Sequence, residues 1–588
     1  MGKSDTRKMS NYSLFIRLIG FAKKYNLLFI ICSISSITLA GIASLRPYLV
    51  IETIDTYIQT KDKEGLINLC LIIGIVLTLE VALQISFIYL ANWLGQHIIK
   101  DIRTKLFKHI LNFKMAYFDK SSVGQMVTRV VSDVETISQF FGQGLFLIIS
   151  DLLKMSVVAG FMVYNNFKLA LISFIILPLI VYATKIFQAA IKGAFQQVRI
   201  QVANLNGFVQ ERVSGMHLIQ LFSREQKEYE KFKKINELHK EAHIRTVWYF
   251  SIFFPISEIL SSFAIGLVAW YGGLKVALEG TVSLGEIIGF IMMIEMLYRP
   301  LKQIADKFTT LQMGLVAANR VFEIMDKKEH LEQDGHIEIE TIKGAIKFEN
   351  VYFSYKKNEN VLKGINLSIS PGEKIAIIGA TGAGKSTIVN LINRFYEIDS
   401  GKISIDSIDI RDLKINNLRK QVGVVLQDVF LFTETIFNNL TLENKEMSLD
   451  KVKKAAKQIG IHSFIESLPN NYNFDVNERG SMLSSGQRQL IAFLRTYLRN
   501  PSILILDEAT SSVDSESEKM IQFATEQLTK DRTCIIIAHR LTTIKNANKI
   551  IVMEKGNIVE IGNHEQLLEK TDGHYTKLFN KQFENMRG

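Results

Sequence analysis

Cysteine is nearly absent, with only Cys32, Cys70 and Cys534 in 588 residues. Two fall in apolar stretches and one in a charged half, with no metal-ligand spacing among them. That excludes a disulfide-stapled scaffold and points to a reducing cytoplasmic side. The opening MGKSDTRKMSNYSLF carries charges but no apolar core backed by a small-residue cleavage site, so no cleaved signal peptide is expected. Charge is missing in blocks. None occurs between Lys24 and Arg46, roughly the length of a bilayer-spanning helix.

What is present falls into two unlike halves. Hydrophobic residues make up 48% of the chain, near the soluble average, but the long apolar runs all lie in the first half. After Lys24–Arg46 they cover Gly65–Ile99, about Ile137–Phe167, Leu169–Thr184 with Pro178 inside, Arg245–Lys275, and a last run from Leu284. These runs predict about six membrane-spanning helices. The net charge of +11 sits in segments flanking the runs, which fits the positive-inside rule and not a nucleic-acid binder. Lys and Arg crowd the N-terminal segment and the connections after the second and fourth runs. Both termini and both long connections are therefore expected in the cytoplasm.

Those two connections keep helical periodicity and have few turn residues, so they read as membrane helices continued into the cytoplasm. Bends with short helices are expected near Gly124 and Gly215, and the apolar Met216, Leu218, Ile219 and Leu221 suggest a docking surface at the second. The expected organisation is a transmembrane domain over residues 1–327, a charged linker over 328–343, and a soluble domain over 344–588. The fold class is an all-α membrane domain followed by an α/β phosphate-loop domain. From Ile346 onward, strands alternate with helices, the pattern of a parallel sheet covered by helices.

The strand KIAIIG runs into Gly379-Ala380-Thr381-Gly382-Ala383-Gly384-Lys385-Ser386, followed by Thr387. This is GxxxxGKS in its required strand–loop–helix setting. Glycines let backbone N–H groups approach phosphate oxygens, and the helix N-terminus adds positive dipole. Lys385 is placed to reach the β- and γ-phosphates of ATP, and Ser386 to ligate Mg2+. A second apolar strand, SILILDEAT, ends in Asp507 and Glu508, at the sheet edge where ligands bind in open α/β folds. Asp507 suits a magnesium partner and Glu508 a group that orients the attacking water.

Together these features resemble the ABC transporters, specifically the exporter half-transporters of lipid-flippase and multidrug type, over nearly the whole chain. Leu483-Ser484-Ser485-Gly486-Gln487 is similar to the family signature LSGGQ, with Ser485 in place of the usual Gly. The resemblance implies that Tyr355 stacks on adenine and that Gln427 senses Mg2+ and contacts the membrane domain. It also implies that Glu478 couples the domains, that Ser511 to Asp514 line the dimer seam, and that His539 contacts the γ-phosphate. ATP would lie between the loop of one copy and the signature of another. The complete motif set favours a homodimer, with the complete half of an unequal pair as the other arrangement. The layout suggests a bacterial cytoplasmic membrane.

Charges within spans are functional candidates by default: Glu80, Asp151, Lys154, Glu258 and Glu295. Asp151 and Lys154 are spaced for an i,i+3 pair. Glu295, beside Met292, Met293 and Met296, is a candidate cavity residue that would suit amphipathic or cationic molecules. The expected activity is ATP-hydrolysing export of amphipathic small molecules or lipid. An importer on the exporter fold, or an ATP-gated channel or regulator, are the alternatives.

Overall fold

The computed structural model describes residues 11–278, 280–330, 334–356, 359–507, 515–538 and 544–583. The chain divides into two compact units, residues 1–111 with 123–328, and residues 112–122 with 329–588.

Among the described residues of the first unit, five helices are long and apolar enough to cross a membrane: Tyr12–Ile58, Lys63–Leu111, Val123–Asn165, Phe167–Ser214 and Glu225–Leu278. A sixth helix, Leu284–Met325, follows. It is less apolar because Glu286, Glu295, Arg299 and Lys302 crowd its first half. The third and fourth helices are separated by Asn166 alone. Its extended backbone (φ −154°, ψ 103°) breaks the helix, and its side chain caps the next one by accepting from the Leu169 N–H at 3.2 Å. Apolar residues such as Leu71, Ile75 and Ile85 stand exposed on the outer faces, as helices surrounded by lipid require. Small hydroxyl residues fill the contacts between helices. Ser44, Ser173, Thr184 and Ser261 are buried, and each donates to the carbonyl four residues earlier.

The connections differ in part from expectation. Gly215 does break the fourth helix and is followed by the short helix Met216–Leu221, whose Met216, Leu218 and Leu221 are exposed. Gly124 marks no bend, because it lies inside the helix Val123–Thr128. The break falls at extended Ser121, after a short helix Met115–Lys120.

Among its described residues the second unit holds ten strands. β1 (Ile346–Ser354), β2 (Asn360–Ile369), β4 (Ser400–Ile405) and β5 (Ile408–Asp409) form an antiparallel sheet in the order β2-β1-β4-β5. β3 (Lys374–Gly379), β6 (Val422–Val425), β7 (Ile503–Asp507), β8 (Thr533–Ile537), β9 (Lys549–Glu554) and β10 (Asn557–Gly562) form the second, in the order β10-β9-β3-β8-β7-β6. All its pairings are parallel except β10 with β9.

The sequence explains the difference between the sheets. β3, β7, β8 and β9 are near-continuous apolar runs buried on both faces, whereas the edge strand β10 alternates exposed and half-buried residues. Side chains alternate across the sheet, so each central strand feeds two cores. Ala376 and Ile378 of β3 join one core with Leu504, Leu506 and Ile536, and Ile375 and Ile377 join the other with Ile503, Ile505 and Ile535.

Candidate functional site

β3 delivers the phosphate loop to the carboxyl edge of the sheet. A Cβ at Gly379 would lie 2.3 Å from the Met553 carbonyl oxygen, so only glycine fits beneath β9. Gly384, with φ +101°, is the N-cap of the helix Lys385–Ile392, and a Cβ there would also press on Leu362 at 2.8 Å. These two glycines fix the turn that aims the first helical N–H groups outward.

Lys385 folds back over the loop. Its ammonium donates to the carbonyls of Gly379 (2.7 Å) and Ala380 (3.1 Å), and the residue is 9% exposed. Burial pulls its pKa below the ordinary lysine value, and the nearby Asp507 charge opposes that pull. The loop carbonyls therefore hold a cation in place for a phosphate to claim. Ser386 is exposed, while Thr387 is buried and bonded to the Tyr355 hydroxyl at 3.2 Å.

Register places the two chemical strands on either side of β8. Ile537 of β8 pairs with Ile377 of β3 and with Asp507 of β7. The loop and the acid thus leave the sheet at the same edge, one strand apart. β6 ends beside β7, and exposed Gln427 follows it. Glu508, Ser511 to Asp514 and His539 lie outside the described residues.

On the base side, exposed Tyr355 meets Phe353 edge-on at 4.8 Å and Tyr396 at 5.0 Å, with rings nearly perpendicular in both pairs. A polar pocket of about 710 Å³, lined by Glu359, Asn360, Lys363, Gly382 and Lys555, opens beside the loop. No motif spacing singles out Lys363 or Lys555. Their place depends on β2 and the β9–β10 turn, which only the fold brings to the loop.

The signature segment opens a different helix. Ser484 is the N-cap of Ser485–Arg499; its hydroxyl accepts from the Gln487 N–H at 3.2 Å, and the Gln487 side chain accepts from the Ser484 N–H at 2.9 Å. This is a capping box, S-x-x-Q, which the sequence reading passed over although the spacing alone signals it. It holds a helix N-terminus rigid, and such an end favours an anion. Gly486 is buried against the domain. Glu478 is exposed in a short 3₁₀ turn, Glu478–Gly480, just before the signature.

The membrane charges pair differently from expectation. Asp151 binds Lys307 of the sixth helix and not Lys154, because the sixth helix brings a lysine directly onto it. Glu80 lies 3.9 Å from Arg46, and Glu258 bonds Lys302 at 2.8 Å. Glu295 is exposed. Met292 is half-buried, and Met293 and Met296 are buried. Among the described residues no cluster of His, Cys, Asp and Glu could hold a metal by itself, and all three cysteines are free.

Comparison with known proteins agrees with this geometry. The model of the ABC transporter transmembrane region matches residues 29–301, and the ABC transporter model matches residues 362–511. The chain is 36% identical to the ATP-dependent lipid A-core flippase of Desulfotalea psychrophila, over 98% of this chain and 100% of that one. It is also 36% identical to a Bacillus subtilis ATP-binding/permease protein named for multidrug export, over 96% of this chain and 98% of that one. An uncharacterized ABC transporter ATP-binding protein of Bacillus subtilis is 34% identical over 98% of this chain and 96% of its own. The apolar helices make this a multi-pass membrane protein, and the loop, the acid and the capped signature helix complete the other half: the chain belongs to the ABC transporters, as an exporter-type half-transporter.

Proposed function

We propose that two copies of this chain form an ATP-hydrolysing exporter that moves lipid or drug-like amphiphiles across a bacterial cytoplasmic membrane by alternating access. The observation that carries the reading is Lys385. A buried ammonium held on two loop carbonyls, at the sheet edge that also carries Asp507, is a cation waiting for phosphate. Tyr355 stacks the adenine. Ser386, Asp507 and Gln427 offer the hard oxygen donors that fit Mg2+, which when bound neutralises charge on the β- and γ-phosphate oxygens. Glu508 orients the attacking water and His539 contacts the γ-phosphate.

One copy leaves the site incomplete, because the capped N-terminus at Ser484–Gln487 faces the nucleotide of the other copy. ATP closes the pair through contacts absent from the open state, and hydrolysis releases it. Asp514 lies on the seam and Glu478 passes the motion on. The exposed Met216, Leu218 and Leu221 of the short cytoplasmic helix supply a docking surface for a nucleotide domain. Relatives named for lipid A-core flipping and multidrug export support lipid or drug cargo. The test is ATPase activity of this chain alone in lipid nanodiscs, beside Glu508→Gln. Activity lost in the variant is expected. A folded but inactive wild type would sink the self-sufficient pair.

A further inference from the structure

The fourth and fifth helices pack as a pair that continues well beyond the apolar runs. From Thr184, where the fourth run ends, to Arg212 is about 42 Å along the fourth helix at 1.5 Å per residue. The pair closes through residues 215–224, which carry the short helix Met216–Leu221.

Side-chain packing does not hold that short helix. Met216, His217, Leu218, Gln220 and Leu221 are exposed and Ile219 is half-buried. A helix of six residues is marginal in water unless something else fixes it. Polar contacts at its two ends supply the restraint. Glu228 is buried, and its carboxylate accepts from Arg212 Nε at 2.8 Å, Lys231 Nζ at 2.9 Å and Arg224 Nη2 at 3.2 Å. Arg212 stands just before the connection and Arg224 closes it, so one carboxylate ties both ends together. Arg212 is held further by Glu211 at 2.7 Å and by the Phe208 ring, 4.6 Å from its guanidinium carbon. At the other end Ser223 takes a left-handed φ of +47°, and the Arg224 N–H donates to the Ile219 carbonyl at 2.9 Å.

An acid in the first turn of a helix also offsets the helix dipole. Glu225 and Glu228 both stand in the first turn of the fifth helix. Glu225 is exposed, as dipole compensation alone requires, whereas Glu228 is buried and gathers three cations. A charge-assisted network of that kind fixes direction as well as adding energy.

We propose that Glu228 is a positioning residue for transmission: it locks the short helix Met216–Leu221 onto the fourth and fifth helices. A nucleotide domain docked on Met216, Leu218 and Leu221 then moves the membrane helices instead of swivelling the tip. The inference rests on the exporter reading and names the residue that makes its docking surface rigid.

The test uses the full chain in lipid nanodiscs, in a Cys70→Ser background whose remaining native thiols, Cys32 and Cys534, are buried. A spin label at Gln220→Cys reads the tip, and one at Lys234→Cys reads the fifth helix beyond the clamp. A label at Lys63→Cys, at the start of the second helix, reads the distance between the two copies. In Glu228→Gln the Gln220 label should gain mobility and the Lys234 label should not. ATP with vanadate should shift the Lys63 distance in the wild type and leave it nearly unmoved in Glu228→Gln. ATP affinity should stay within about twofold, because the phosphate loop lies in the other unit. Glu228→Asp keeps the charge and should restore both the rigid tip and the distance shift. Unchanged mobility at Gln220 in Glu228→Gln would overturn the clamp. A full distance shift in that variant would reduce Glu228 to a stabiliser of the hairpin and overturn the transmission role. A wild type that hydrolyses no ATP would sink the exporter reading instead, and the Gln220 label would still decide the clamp.

Discussion

The Tyr396 hydroxyl donates to the Asp119 carboxylate, across 277 residues of chain. Asp119 lies in the short helix Met115–Lys120, and the Tyr396 ring meets the edge of Tyr355 at 5.0 Å. One aromatic ring thus separates Tyr355, proposed above to stack on adenine, from a helix that interrupts the membrane half of the sequence. Burial first, then the bond to Asp119, pushes the phenol well above the ordinary tyrosine range, so it stays a donor at every physiological pH. Tyr396→Phe keeps the ring and removes the bond. ATP affinity should stay within about twofold, because the ring still supports Tyr355, while cargo-stimulated ATPase activity falls. Tyr396→Ala should lose both. Nucleotide titration and cargo stimulation, measured side by side, separate the two effects. Equal loss of ATP binding in both variants would refute the relay.

This contact also marks how far the sequence could be read. The phosphate loop was legible because strand, glycines, lysine and helix are contiguous, and local rules fix their geometry. Asp507 was legible because an apolar strand ending in acid has few structural uses. The capping box at Ser484 and Gln487 was missed, although its S-x-x-Q spacing is equally local. Pairings across the bundle were not legible. Asp151 has a lysine three residues on, but helix packing presents Lys307 to it instead. Gly124 suggested a bend because glycine weakens helices, yet an exposed glycine in a first turn costs only about 1 kcal/mol, and the chain breaks at Ser121 instead.

Asp133 gives a stability prediction. Its carboxylate is buried and bridges Arg129 at 2.6 Å and Arg320 at 2.8 Å, tying the third helix to the sixth. Asp133→Ala leaves two guanidinium groups facing each other with no counter-charge. A cost of about 3 kcal/mol to the membrane unit is expected. Thermal unfolding in nanodiscs checks it, and a loss below about 0.5 kcal/mol would show that water already solvates the arginines.

The signature helix separates folding from chemistry. Ser484→Ala removes one half of the capping box and should cost about 1 kcal/mol of domain stability. If this helix end also meets the nucleotide of the partner copy, ATPase activity should fall by far more than that stability loss explains, with nucleotide binding to the Lys385 loop retained. Ser484→Asn, which caps nearly as well, should restore the melting temperature without restoring activity. Recovery of both together would make the segment a structural cap and nothing more.

His564 gives the soluble domain an acid limit. Its Nδ1 lies 2.5 Å from the Tyr575 hydroxyl, and burial first, then the Lys545 charge, lowers its pKa below the ordinary histidine value. The folded domain therefore holds fewer protons than the unfolded chain as pH falls below about 6.5. Stability rises with pH wherever the unfolded state binds more protons, so this contribution is present in full above that value. It is lost as pH drops toward the depressed folded pKa. The melting temperature of the nucleotide domain should fall between pH 7 and pH 5 by more than it does in His564→Gln, whose side chain does not titrate. Parallel curves for the two proteins would assign the acid sensitivity to other groups. A steeper fall in the variant would reverse the sign of the proposed linkage.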